Sequence, residues 1–315
     1  MAPIDPVVGF FVLGVVAGLL RSDLKLSSGL YDTLTIYLLI AIGLKGGFEL
    51  ASRDVAGLVL PTAIIVAASA VTPVVAYQAL VRLGRLPHPD AASISAHYGS
   101  VSVVTFAVGA SYLGRQGLDY DGYMSVFLVF LEFPALIVGV LLAKGLQADA
   151  NWRRLAHEVL TGKAIVLLLG ALIIGWVWGR DDGAPLVPFF EGLFKGFLAL
   201  FLLGMGVTTA ARLDDLRRVG AFLAAFGVLM PIVSAAGGVL VGWLLGLSVG
   251  NTHLLAVLYA SASYIAAPAA MRIAIPEANP ALSMGAALGV TFPFNVVVGV
   301  PLYLSMTQIF FRMMA

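Results

Sequence analysis

The chain has 315 residues, of which 60% are hydrophobic types and only 11% are charged. A soluble domain carries roughly 25% charged residues to build its polar shell, so an ordinary soluble fold is excluded and lipid must cover most of the surface. A net charge of +1 excludes a strongly basic nucleic-acid binder, and the absence of cysteine excludes disulfide frameworks and thiolate metal sites.

A membrane-spanning helix needs about 20 mostly apolar residues. Ten such stretches run roughly 4–20, 31–51, 56–82, 92–113, 122–144, 162–179, 187–210, 219–245, 251–271 and 281–311. The first lacks the charged n-region of a signal peptide and reads as a retained span. In the second, Lys45 precedes Glu49 by four residues, the spacing of an i,i+4 ion pair near the interface. Residues 55–81, over the third, hold no Asp, Glu, Lys or Arg, and neither do 219–271, which divide into two spans at the Gly/Ser/Asn-rich turn 246–252. Twelve Lys and Arg residues fall on one side of these spans and four on the other. Basic loops stay in the cytoplasm, so both termini are expected outside, in the periplasm of an inner-membrane protein.

The fourth span is rich in small and hydroxyl residues at mid-depth: Ser100, Ser102 and Thr105 follow His97, Tyr98 and Gly99. The ninth repeats the theme with Tyr259, Ala260, Ser261, Ala262, Ser263 and Tyr264 before Pro268. Polar backbone at that depth is tolerated only against protein or a water-filled cavity. Both helices are therefore expected to break there. Each half-helix N-terminus would present free N–H groups and a positive dipole end, a site for an anion. Unwound carbonyls and the hydroxyls of Ser102, Thr105 and Ser263 could hold sodium beside it. The alternative is that the small residues only allow close packing, with hydroxyls bonded back to their own helices.

Landmarks recur at an offset near 160: Gly43 and Gly204, Pro73 and Pro231, Tyr98-Gly99-Ser100-Val101-Ser102 and Tyr259-Ala260-Ser261-Ala262-Ser263, Glu132-Phe133-Pro134 and Thr291-Phe292-Pro293. Five spans per repeat is odd, so the second copy enters from the opposite side, the inverted repeat of many secondary transporters. The expected fold is an all-α membrane protein of ten helices in two inverted five-helix repeats, residues 1–145 and 162–315, joined by a cytoplasmic linker over 146–161, with helices four and nine broken.

Glu132 lies deep in the fifth span, where an ionised side chain costs at least about 2.5–3.5 kcal/mol. It is either an ion-coupling carboxylate or a hydrogen-bonded structural group. Asn295 in the tenth span offers a carbonyl oxygen to an ion or packs. His97 reads as a pH-responsive group or a hydrogen-bonded packing residue. Gly14/Gly18, Gly175/Gly179, Gly192/Gly196 and Gly238/Gly242 match the close-packing spacing GxxxG. An intramembrane enzyme is disfavoured. Ser102 and His97 are five residues apart and do not share a helix face. The GxSxG string Gly246-Leu247-Ser248-Val249-Gly250 joins two spans rather than a strand and a helix.

Ile42-Gly43-Leu44-Lys45-Gly46-Gly47, Tyr98-Gly99 with Val101-Ser102 and Thr105, Phe133-Pro134-Ala135-Leu136, Leu216-Arg217-Arg218-Val219 and Arg272-Ile273-Ala274-Ile275-Pro276-Glu277-Ala278-Asn279-Pro280 occur in this order. In these segments the chain resembles the sodium-dependent bicarbonate transporters known from cyanobacteria and proteobacteria. The resemblance implies a homotrimer with gate and core domains, elevator-like movement, bicarbonate as substrate and sodium as coupling ion. It implies no cofactor. Carried over by position, the substrate site is Gly99, Ser102, Thr105, Ser261 and Ser263, and Ser100 and Ala260 beside them complete the expected set. Glu132, Asn295 and Tyr264 are the ion-coupling candidates. Family members carry an acid at the position of Tyr264 and a hydroxyl at that of Val104. Cyanobacterial members bind a PII-like cytoplasmic regulator and have a longer loop between the halves than residues 144–163 provide. Transport of another small anion such as a carboxylate, or an anion channel, stays open on the sequence.

Overall fold

A computed structural model describes residues 5–24, 26–144, 160–211 and 213–314, together with 153 and 157; the linker expected over 146–161 falls largely outside them. Every regular element among the described residues is helical. The elements are α1 (Pro6–Leu19), α2 (Ser28–Ala51), α3 (Ala56–Ser69), α4 (Val71–Arg82), α5 (His88–Gly99), α6 (Val103–Gln116) and α7 (Met124–Lys144). After the linker come α8 (Lys163–Asp182), α9 (Phe194–Ala211), α10 (Leu213–Leu244), α11 (Val249–Tyr259), α12 (Ala266–Ala274) and α13 (Pro280–Met314), the last containing two π-helical turns.

Local chemistry sets the ends. Asp5 caps α1 by accepting from the Val7 N–H at 2.9 Å, with Pro6 at the first helical position, and Ser27 caps α2 through the Leu30 N–H at 3.2 Å. Gly117, with φ 66°, stops α6 in the left-handed conformation that glycine adopts without strain. Gly246, with φ 66°, does the same after α10. Ser248 then caps α11 by accepting from the Asn251 N–H at 3.2 Å, so the GxSxG string is a turn and a helix cap.

Eight helical stretches among the described residues are long and apolar enough to cross a membrane, so this is a multi-pass membrane protein. Of the ten expected spans, the first forms the short helix α1 of 14 residues. The ninth is divided into α11 and α12, neither long enough alone.

Glycines bring several helix pairs into close backbone contact. α1 packs on α9 where Gly14 meets Gly206: a Cβ on Gly206 would lie 2.9 Å from the Gly14 Cα. α2 packs on α8 where Gly47 meets Gly175: a Cβ on Gly47 would lie 2.8 Å from the Gly175 Cα. Gly238 of α10 meets the backbone of Ala256 of α11 in the same way, and Gly242 meets the Thr252 side chain. Gly192 and Gly196 face open space, so their GxxxG spacing does not mark a contact. The apolar side chains Val59 and Leu60 of α3 and Val177 and Trp178 of α8 are exposed, as a lipid-facing surface requires. The least exposed segments are the broken ones. α5 is buried from Ala91 to Gly99, and α11 from Gly250 to Tyr259.

Candidate functional site

The fourth span stops being helical where its small polar residues cluster. α5 ends at Gly99, and Ser100 (φ −91°, ψ 166°) and Ser102 (φ −120°, ψ 113°) are extended before α6 begins. Gly99 is required by the packing around the break. A Cβ there would come within 2.6 Å of Pro73 Cδ and 2.8 Å of Ala135 Cβ. Ser102 caps α6, its hydroxyl accepting from the Thr105 N–H at 3.2 Å. The N–H groups of Val103 and Val104, in the same first turn, are beyond reach of any carbonyl of their own helix.

The ninth span breaks in the same register. α11 ends at Tyr259, and 261–263 are non-helical. The Ser261 hydroxyl donates to the Leu258 carbonyl at 2.7 Å, and Ser263 accepts from the Ala267 N–H at 3.3 Å. Pro268 is the third residue of α12. Its missing N–H costs nothing there, because that position has no intrahelical acceptor.

The two breaks touch. The Ser102 N–H donates to the Ser261 hydroxyl at 2.9 Å, and the Ser263 N–H donates to the His97 carbonyl at 2.9 Å. Gly99, Ser100, Ser102, Thr105, Ala260, Ser261 and Ser263 are all buried at this crossing. The structure thus brings the sequence-predicted substrate residues together. The hydroxyls of Ser102, Ser261 and Ser263 act as caps and cross-links in this arrangement.

The remaining candidates surround the crossing. Glu132, 3% exposed, accepts from the Ser100 hydroxyl at 2.9 Å. Asn295 donates its amide to the Ala260 carbonyl at 2.8 Å and accepts from the Tyr303 hydroxyl at 2.6 Å, so its oxygen is engaged. The Tyr264 hydroxyl is buried and faces Ser102 without a hydrogen bond of good geometry. His97 donates its Nδ1 proton to the Ser93 carbonyl at 2.8 Å, since a carbonyl only accepts, and Nε2 is left buried without a partner. Two tyrosines at matching positions reach across. Tyr98 bonds Thr291 at 2.6 Å, and Thr291 donates to the Gly227 carbonyl; Tyr259 donates to the Ile65 carbonyl at 2.6 Å.

Two cavities flank the crossing. One, of 350 Å³, is lined by Ser93, His97, Pro268, Arg272 and Ser283 among others. The second, of 410 Å³, follows α6 from Phe106, next to Thr105, to Gly114. It includes Lys45, for which the expected partner was Glu49. The structure corrects that expectation: Lys45 donates to the Tyr120 hydroxyl at 2.6 Å, while Glu49 pairs with Arg53 at 3.8 Å and accepts from the Gly122 N–H. The loop 117–123 folds back over α2 and captures both side chains, which no local spacing reveals. Ser111, buried with no partner on the same cavity, carried no sequence signal.

A comparison with curated proteins finds no match. A family model described as the Na+-dependent bicarbonate transporter superfamily matches residues 6–308. That span takes in both breaks and nearly all of the 315 residues, and on it the chain belongs to this superfamily of transporters and is not an enzyme.

Proposed function

We propose that the protein imports bicarbonate with sodium, binding both at the crossing of the two broken helices. The observation that carries this reading is the Ser102–Ser261 contact, where half-helices from two interrupted spans meet in a buried centre. First-turn N–H groups of α6 and α12 supply donors and positive dipole ends for a planar three-oxygen anion. The substrate residues are Gly99, Ser100, Ser102, Thr105, Ala260, Ser261 and Ser263. Ser102, Thr105 and Ser263 offer hydroxyls to sodium, with the Tyr264 hydroxyl beside them, while Glu132 and Asn295, hydrogen-bonded to Ser100 and to Ala260 and Tyr303, hold the surround of the ion in place. Coupling has a physical reason. An inside-negative potential opposes anion entry by about 2.3 kcal/mol per charge per 100 mV, and a co-bound sodium cancels it.

Two inverted five-helix repeats, 1–145 and 162–315, underlie this site. Two reciprocities support the reading. Gly14 of α1 meets Gly206 of α9, as Gly175 of α8 meets Gly47 of α2. The equivalent glycines in each pair are separated by the same offset near 160 as the sequence landmarks. Tyr98 and Tyr259 each reach a main-chain carbonyl in the third span of the opposite half, one through Thr291 and one directly. We take α1, α2, α8 and α9 as a gate and the remaining helices as the moving core of an elevator. The Arg272 side is cytoplasmic and both termini are periplasmic, by the basic-residue asymmetry. A homotrimer and a PII-like regulator rest on the family resemblance.

The test is uptake of labelled bicarbonate into proteoliposomes under an imposed sodium gradient. Saturable uptake that collapses when choline replaces sodium is the expected result. Uptake indifferent to sodium, or carried equally by acetate, would overturn the reading.

A further inference from the structure

We infer that the 410 Å³ cavity along α6 is a second anion site, in which Lys45, Lys195 and Ser111 capture a small oxyanion on its way to the crossing. The inference rests on the import reading above, which puts this cavity on the outer side.

The charge balance of the cavity points to an anion. Its charged lining residues are Lys45, Lys195 and Glu191. Glu191 is already neutralised, because Arg180 grips both its oxygens at 3.0 Å. Lys45 is half-buried in α2 and donates to a neutral phenol, and no carboxylate among the described residues lies within ion-pair distance of it or of Lys195. Lys195 sits in the first turn of α9, where the positive dipole end opposes a cation and favours an anion. Two uncompensated positive charges in a cleft with apolar walls focus the field and attract anions.

A hydrogen-bond donor completes the site. Ser111 is 6% exposed and lines the cavity, and its buried hydroxyl has no partner. A buried polar group without a partner calls for an explanation, and a bound oxyanion that accepts from it supplies one. The floor is formed by Phe106, Ala107 and Ala110, which lead toward Thr105 at the crossing. The cavity falls within the range of about 300–1,000 Å³ typical of small-molecule sites. It therefore holds a three-oxygen anion together with water, a transient stop and not the final dehydrated site.

The experiment is sodium-driven bicarbonate uptake by Lys45→Gln, Lys195→Gln, Ser111→Ala and Lys45→Arg, each in phosphatidylcholine vesicles and in vesicles with added phosphatidylglycerol. Each of Lys45→Gln, Lys195→Gln and Ser111→Ala is expected to raise KM by about threefold or more, and Lys45→Gln combined with Lys195→Gln by about tenfold, with kcat within about twofold. Lys45→Arg keeps the charge and stays near wild type, which separates capture from packing. The effect of Lys195→Gln fades in high salt, where the Debye length falls to about 3 Å at 1 M. Sodium-dependent wild-type uptake with KM unmoved in the Gln variants overturns the inference alone. Absence of wild-type uptake overturns the import reading and this inference with it. A charge effect seen only with phosphatidylglycerol also overturns it, because the same chemistry would then be holding a lipid headgroup.

Discussion

The Ser102 N–H and the Ser261 hydroxyl, 159 residues apart, meet at 2.9 Å, and that one bond fastens the break in one span to the break in another. Ser261 also donates to Leu258, so its oxygen joins α11 to the start of α6. Ser261→Ala leaves the buried Ser102 N–H unpaired, at about 1–3 kcal/mol for a lost partner, while the Leu258 carbonyl keeps the main-chain N–H of residue 261 at 3.2 Å. The expected outcome is a lower unfolding temperature in detergent and a loss of uptake by at least about tenfold, since each 1.4 kcal/mol off the productive geometry is tenfold. Ser261→Thr keeps the hydroxyl and should restore stability.

Glu132 has one hydrogen-bond partner, the hydroxyl of Ser100, and no cation among the described residues within ion-pair range. Its amide isostere keeps an acceptor oxygen at the same place. Glu132→Gln is therefore expected to fold and to transport with the sodium dependence unchanged within about twofold. Glu132→Leu strands the Ser100 hydroxyl at about 1–3 kcal/mol. A sodium titration of uptake checks both. A large rise in the sodium requirement of Glu132→Gln would instead make the carboxylate a direct ion ligand.

The breaks are legible because Gly99 and the hydroxyl residues Ser100, Ser102, Ser261 and Ser263 contradict the apolar spans that contain them. A polar cluster in lipid has to be excused by an interruption or a cavity. Spacing rules did worse. The i,i+4 rule paired Lys45 with Glu49, yet the loop 117–123, some seventy residues away in sequence, takes both. The GxxxG rule found Gly14 and Gly175 but equally Gly192 and Gly196, which face open space. Whether a glycine face meets another helix depends on a partner, and Gly47 and Gly206 lie on other helices. By sequence alone Asn295 is equally a ligand or a packing group. Only the arrival of Ala260 and Tyr303 at its two ends gives it a bonding role.

Asn295 and Tyr303 form a chain that ends on the Ala260 carbonyl beside the break. Asn295→Ala frees that carbonyl and the Tyr303 hydroxyl together, while Tyr303→Phe removes only the outer link. The first is expected to destabilise by about 1–3 kcal/mol and the second by about 1 kcal/mol. Residues in one hydrogen-bonded network couple by about 0.5–3 kcal/mol, so the double variant should be less destabilised than the sum. Thermal unfolding of the four proteins measures the coupling. Strict additivity would show that Tyr303 does not act through Asn295.

Glycine substitution separates contact from spacing. Gly47→Ala drives a methyl group into the backbone of α8 at Gly175 and Trp176, and two helices whose separation is set by small residues must move apart. Loss of a monodisperse peak on size exclusion is expected. Gly196→Ala meets nothing and replaces glycine in the first turn of α9 with a better helix former. It should fold at least as stably as wild type. Equal behaviour of the two variants would contradict the α2–α8 packing.

Arg53 ties the end of α2 to the loop before α7. It pairs with Asp121, which also bonds Asn251 of α11 at 2.5 Å, and lies 3.8 Å from Glu49. The side chains of Arg53 and Asp121 are 44% and 31% exposed, and exposed pairs contribute only about 0–1 kcal/mol to folding. In the elevator reading, however, the pair joins gate to core and has to break for the core to move. Removing it from the starting arrangement, but not from the barrier, lowers the barrier by the same amount. Arg53→Gln is thus expected to change unfolding by less than about 1 kcal/mol and to raise kcat by about two- to fivefold where movement limits turnover. KM stays within about twofold, because Arg53 lines neither cavity. Uptake kinetics read against thermal unfolding decide it. A kcat that is unchanged or falls would place Arg53 outside the moving contact and weaken the division into gate and core.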